Sequence, residues 1–350
     1  MEEFDILEPV HCETGTVRNI LHYHGYEISE PMILGIGSGI MFAYVSIIKY
    51  QGSHVLVARP PHGSICRNFF KRMKIPYTYK YFAYFQQKKS MRELDRLLSQ
   101  NIPVGVLTSV KDLMYLSQYE RFGFNGHSVL VVKKENGLYK VVDNLGKTGE
   151  LKTISPDDLQ NARFNMSLPC ISGQLYYVSE MPSTPPPIQE AIIKGIEKTC
   201  SSMLRSPIPL NGTHGIGVLA KYLRKRAAHF KPTKMRTQFL WFFRMLEIGS
   251  GGSGYRYIYA DFLKETATIF NNESFLTLSQ QMVKIADTWR TVSLITGRYS
   301  REGTVITQEI LMELSDTLFT LQQMEHNLFM ELEKLIKSCK NTMLLQKKSC

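Results

Sequence analysis

Three residues far apart in the chain have the types needed for nucleophilic acyl chemistry: Cys12, His127 and Asp143. A thiol is a weak nucleophile until an imidazole takes its proton, and a carboxylate behind the imidazole fixes its orientation and charge. Cys12 lies in EPVHCETGTVRNIL, just ahead of an expected helix, where unpaired backbone N–H groups and the dipole lower a thiol pKa. His127 opens the apolar run GHSVLVV, and Asp143 falls in VVDN at the end of the next one. The segment KKENGL between them, with its Asn136-Gly137 step, signals a hairpin, which would set Asp143 beside the His127 ring. Each residue also has an ordinary reading. Cys12 suits an inert core site, His127 a bond to a backbone carbonyl, and Asp143 a turn. His11 is a second candidate base, although neighbours along a chain commonly point apart.

The elements that must carry these groups are legible in outline. A helix is expected from about residue 14 to 26. Short β-branched or aromatic runs at 55–58, 104–107, 128–132 and 139–143 read as strands, with a short helix at 90–99 between two of them. The first half is therefore α+β with a largely antiparallel sheet. SEMPSTPPP (179–187) marks an extended connection. Beyond it, helical periodicity dominates to residue 337, and a mostly α-helical C-terminal domain is expected. The expected division is a domain at 1–180, a Pro-rich linker at 181–187 and a helical domain at 188–350 for substrate binding or oligomerisation.

Composition narrows the function classes. Hydrophobic residues make up 43% of 350, enough for a sizeable core. No apolar run reaches membrane-span length, and no signal-type segment opens the chain. The six cysteines form no CxxC pair, so neither zinc nor a disulfide framework is indicated, and a reduced, cytoplasmic protein is expected. His214, His229 and His326 lack a metal-ligand pattern. The net charge of +11 is scattered, with runs such as KYLRKR at 221–226 and no nucleic-acid motif. It suits a phosphate-bearing cofactor or an acidic carrier protein better than nucleic acid. No nucleic-acid or membrane partner is expected.

Further candidates surround the triad. GIGSG (35–39) has dinucleotide-like glycine spacing but no preceding strand, so a tight turn is expected, with Gly37 and Gly39 lining a cleft or simply packing. Tyr115 and Tyr119 are candidates to line the same cleft, and Asp112 and Glu120 to bind an incoming amine. Glu247, before the glycines of EIGSGGSG, suits a substrate amine or a local N–H, with Arg256 as its expected partner. Asp261 in YIYADFL faces either the cleft or water. FLWFF (239–243) is expected in the core or a subunit interface, and the apolar last helix favours a bundle or a homodimer.

HCETGTVRN, GIGSGIMFAY (35–44), GHSVLVV and VVDN, in this order, resemble the N-terminal domain of the butirosin-biosynthesis acyltransferase family. GIGVLAKYL (215–223), EIGSGGSG, YIYADFL and Trp289 resemble its usual helical domain. The resemblance implies a papain-like N-terminal fold. It implies Cys12 as acyl-accepting nucleophile, His127 as general base and acid, and Asp143 as the orienting carboxylate. It also implies transfer of an acyl group from the phosphopantetheine thioester of an acyl carrier protein, or of coenzyme A, to an amine in secondary metabolism. No bound cofactor is implied beyond the donor's own phosphopantetheine. A cysteine peptidase or amidase with the same triad is the alternative enzyme, and a non-catalytic binding protein the alternative class. Papain-like proteases usually carry a glutamine just upstream of the cysteine. None precedes Cys12, which counts against the peptidase and leaves the second oxyanion donor unnamed.

Overall fold

A computed structural model describes residues 4–50, 52–118, 120–121, 123–146, 149–167, 171 and 173–349, with side chains beyond 343 and that of Tyr50 excepted. In chain order, α1 (Cys12–Tyr23) and α2 (Glu30–Ile36) precede a hairpin of β1 (Ala43–Tyr50) and β2 (Ser53–Val57). Then come α3 (Ser64–Met73), β3 (Thr78–Lys80), α4 (Gln87–Ser99), β4 (Val104–Ser109), β5 (Asn125–Glu135), β6 (Leu138–Val142), β7 (Lys152–Ile154), α5 (Pro156–Arg163) and β8 (Leu175–Tyr177). The remainder is helical: α6 (Ile188–Leu204), α7 (Gly212–Ala227), α8 (Pro232–Phe243), α9 (Arg256–Phe270), α10 (Ser274–Tyr299) and α11 (Gln308–Ser349).

The chain forms two compact units, residues 1–33 with 62–187, and 34–61 with 188–350. The first unit is thus not the continuous 1–180 stretch expected from sequence. Its β1–β2 excursion belongs to the second unit, where β1 packs on α7 and β2 on α8. Unit 1 is built on an antiparallel sheet in the order β3-β8-β4-β5-β6-β7. β4 is buried along its whole length, as expected of a central strand covered on both faces. On one side α4 and α5 close a core that includes Leu94, Leu98, Val106, Val129, Val131, Leu159 and Phe164. α1 packs against β5 and β4. This is the papain-like α+β arrangement, and the second unit is almost entirely helical.

In unit 2, α11 packs along α7, α6 and α10. Its Leu311, Leu314, Leu318, Leu321, Leu328, Phe329, Leu332 and Ile336 are buried, a stripe at helical spacing that explains its docking within the unit. The helix runs on to Ser349, past residue 337, where the expected periodicity ends. Phe239, Trp241 and Phe242 of FLWFF are core side chains. Among the described residues no helix is long and apolar enough to cross a membrane.

Candidate active site

Several side chains around the start of α1 hold the backbone that carries Cys12. His11 is extended, with φ −125° and ψ 141°, and is the N-cap of α1, so the helix starts at Cys12 rather than at residue 14. The Thr14 N–H donates to His11 Nδ1 at 3.4 Å, and Cys12 Sγ lies 3.6 Å from His11 Nε2. Glu30, buried, accepts the N–H groups of Val10 and His11 at 2.8 and 3.0 Å and the Thr14 hydroxyl at 2.6 Å. A Cβ on Gly15 would stand 2.2 Å from Pro9 Cβ, so only glycine lets the segment before α1 lie on the helix. Asn19 exchanges hydrogen bonds with both backbone groups of Leu7, which commits it to anchoring rather than to an oxyanion hole. Glu13 caps α3 by accepting from the Gly63 and Cys66 N–H groups.

The hairpin supplies the other two groups. Leu130 pairs with Val142 and Val131 with Val141; the same register sets Asp143 opposite Val129, diagonal to His127 and on its face. His127 Nε2 lies 2.6 Å from Asp143 Oδ1, both side chains being buried. His127 and Cys12 act on each other electrostatically, the imidazole lowering the thiol pKa and the thiolate raising that of the imidazole. With Nε2 taken by Asp143, Nδ1 is the nitrogen left for the thiol. Asp143 Oδ1 further accepts the Leu145 N–H at 3.1 Å, and Oδ2 accepts the Tyr115 hydroxyl at 2.6 Å. Lys152 Nζ donates to the Asp143 carbonyl at 2.8 Å. Gly126, at φ +98°, permits this path: a Cβ there would sit 2.1 Å from the His62 ring.

The electrostatics favour an ion pair at rest. Burial pushes the Cys12 thiol up, but the charges and hydrogen bonds of His11 and His127 outweigh it and hold the thiol well below its ordinary range. Burial likewise opposes charge on His127, yet Asp143 and Cys12 push it up to about 10. Asp143 is held below the usual carboxylate range because His127, Tyr115 and the Leu145 N–H overcome its burial. A thiolate facing an imidazolium, at a helix start whose first N–H groups lack intrahelical partners, can attack a carbonyl carbon and have the resulting oxyanion met by the Cys12 N–H.

The other expected residues are dispersed. Tyr115 is behind Asp143, bonded to its carboxylate, and Tyr119 lies outside the described residues. Asp112 accepts from Asn165 Nδ2 at 2.6 Å, and Glu120 accepts the Ser117 N–H at 2.9 Å. Gly37 and Gly39 are buried in unit 2; Ser38 between them bonds the Gly195 carbonyl at 2.9 Å. Glu247 accepts the Ser293 hydroxyl at 3.1 Å and pairs with Arg290 at 3.4 Å. Its expected partner Arg256 is instead buried against Glu325 at 2.8 Å, since a guanidinium out of water needs an equally buried carboxylate. Asp261 is exposed on α9. Sequence reasoning missed Glu30 and Lys152; an acidic residue ahead of Pro31 carried no signal that it would reach back to residues 10–14. Among the described residues no group of His, Cys, Asp and Glu is placed to hold a metal.

A cysteine at a helix start, an imidazole on a strand and a carboxylate at the hairpin end are the groups that a papain-like cysteine site requires. Residues 11–144 match the model of butirosin biosynthesis protein H, N-terminal, and residues 157–332, half of the chain, match the domain of unknown function DUF4872. The chain belongs to the DUF4872 family, and its N-terminal part is similar to butirosin biosynthesis protein H, with the two parts in the order expected above. Membership supports a catalytic, cysteine-dependent protein of acyltransferase or amidohydrolase type. No curated protein matches the chain.

Proposed function

We propose that the protein is an acyltransferase that carries an acyl group from a thioester to an amine through an acyl-Cys12 intermediate. The observation that carries this reading is the buried Cys12 thiol at the start of α1, 3.6 Å from His11 Nε2, together with the buried His127–Asp143 pair at 2.6 Å. The match to the N-terminal part of butirosin biosynthesis protein H supports biosynthetic acyl chemistry.

The Cys12 thiolate attacks the thioester carbon, and the oxyanion is held by the Cys12 N–H. Collapse breaks the bond to the donor sulfur, and the His127 imidazolium gives that sulfur its proton. The leaving thiolate and the attacking one are alike, so the exchange costs little. A neutral amine then attacks the acyl-enzyme. His127 takes its proton, the Cys12 thiolate leaves, and an amide is released with the thiolate–imidazolium pair restored. The donor is the phosphopantetheine thioester of a carrier protein or coenzyme A. The helical part, 188–350, serves substrate binding or self-association.

The test is intact-protein mass after exposure to acyl carrier-protein and acyl coenzyme A thioesters, with Cys12→Ala in parallel. The expected result is an acyl adduct that needs Cys12 and is discharged as amide by an amine. Discharge as free acid with the amine present would establish a hydrolase instead. Absence of an adduct together with a thiol of ordinary pKa would favour a binding protein.

A further inference from the structure

Unit 2 contains a cavity of about 470 Å³ at one end of the β1–β2 hairpin, where α7 ends and α8 begins. Its charged lining residues are Lys49, Arg226, Lys231 and Lys234, with His54 and His229 beside them and no carboxylate. Elsewhere the protein pairs many of its cations: Lys80 with Glu93, Arg205 with Glu333, Lys340 with Glu197. Among the described residues no carboxylate pairs with the four in the cavity. A concave surface of one sign concentrates field and draws in a counter-ion.

The cavity is built as well as charged. Gln238 exchanges hydrogen bonds with the backbone of His54 at 2.7 and 3.1 Å, which ties the hairpin to α8. The Tyr44 hydroxyl meets His54 Nδ1 at 2.6 Å. The Arg226 guanidinium lies over the Tyr222 ring at 5.4 Å, and Tyr222 packs edge-on against His54. Stacking leaves the planar guanidinium edge for a bidentate acceptor. Phe230 and Met235 form an apolar wall. Burial, Lys49 and Arg226 push the His54 ring toward its neutral form, in keeping with positive potential at this point.

We propose that this cavity binds a small molecule through a phosphomonoester or diphosphate group, with its uncharged part against Phe230 and Met235. The chemistry is the same whether the phosphate belongs to a nucleotide or to a phosphopantetheine. The assignment does not depend on the reaction at Cys12.

Calorimetric titration of the full chain with pyrophosphate, adenosine 3′,5′-bisphosphate and pantetheine 4′-phosphate, at about 0.15 M salt, tests it and separates the two sources. At least one probe should bind with Kd below about 1 mM. Arg226→Ala and the pair Lys231→Ala with Lys234→Ala should each weaken it at least about tenfold. Lys340→Ala should leave it unchanged. Circular dichroism of each variant, and an unaltered Cys12 alkylation rate, would separate loss of this site from misfolding or failure of the catalytic reading. No saturable binding by any probe, binding that survives both cavity variants, or equal binding of sulfate would overturn the proposal. So would displacement of the probe by generic duplex DNA at lower concentration.

Discussion

Tyr115 donates its hydroxyl to Asp143 Oδ2 at 2.6 Å, while His127 Nε2 holds Asp143 Oδ1 at the same distance. The carboxylate is thereby fixed from both sides, and Tyr115 acts on Cys12 only through Asp143 and His127. Asp143→Ala should slow acyl-Cys12 formation by about 10²- to 10⁴-fold, the span of general acid–base catalysis. Tyr115→Phe removes one hydrogen bond to a charged group, worth about 1.5–3 kcal/mol, and should slow the same step by roughly tenfold. Burst kinetics with an acyl thioester reads both. If Tyr115 served only packing, Tyr115→Phe would leave the apparent His127 pKa where it is; a positioning role requires it to fall.

The thiolate should be detectable at neutral pH. Cys12 is depressed and His127 raised to about 10, so the pair is charged between those two values. As pH falls through the Cys12 value the thiolate takes a proton, and as it rises through about 10 the imidazolium loses one. Iodoacetamide alkylation should therefore already be near its plateau at about pH 7, below the ordinary thiol pKa of about 8.5. Acyl transfer, which also needs the imidazolium proton, should decline near pH 10. Asp143→Ala should move the alkylation midpoint up toward the ordinary value. Folded-state linkage has the matching sign for His127: its raised pKa stabilises the fold fully below about pH 6.5, and that contribution is lost through about pH 10.

Cys12, His127 and Asp143 stood out as candidates in the sequence because of their local settings, a thiol before a helix and a hairpin with an Asn-Gly turn. The one-residue register shift between Val131 and Lys133, which moves Asp143 to the face of His127, carried no such signal. Helical periodicity likewise marked the second half. What stayed hidden depends on long-range partners. Glu30 reaches back to residues 10–14, Glu13 caps a helix fifty residues on, and Lys152 reaches the Asp143 carbonyl. The excursion of residues 34–61 into the helical unit is equally non-local, since an isolated β1 reads as an apolar run until α7 covers it. Tyr115 was expected to line a cleft, as an aromatic in a loop commonly does; only the register of β5 and β6 reveals the carboxylate in reach of its hydroxyl.

Two glycines can be used to test backbone placement separately from charge. Gly126→Ala puts a Cβ on the His62 ring and forces alanine to φ +98°. Gly15→Ala collides with Pro9. Strain of this kind costs about 1–3 kcal/mol. Thermal unfolding should show both losses. Gly126→Ala should also reduce Cys12 alkylation at neutral pH by displacing His127, whereas Gly25→Ala, with open space at its Cβ, should leave that reactivity alone.

The strongest stability effect should come from the helical unit. Arg256 and Glu325 are both fully buried; the guanidinium Nε meets Oε1 at 2.8 Å and an Nη meets Oε2 at 3.1 Å. Arg256 also donates to the Gly254 carbonyl at 2.7 Å, and the Trp289 indole N–H donates to Glu325 Oε1 at 2.6 Å. The network thus ties the glycine turn to α10 and α11. Removing one partner strands a charge away from water, which costs about 3–5 kcal/mol. Glu325→Ala and Arg256→Ala should each lower the unfolding midpoint in urea sharply. Replacing both, Arg256→Met with Glu325→Leu, removes the stranded charge and should recover most of the loss, leaving the cost of the unpaired Trp289 N–H. A double variant no more stable than either single one would mean that the turn is held by the specific hydrogen bonds rather than by charge compensation.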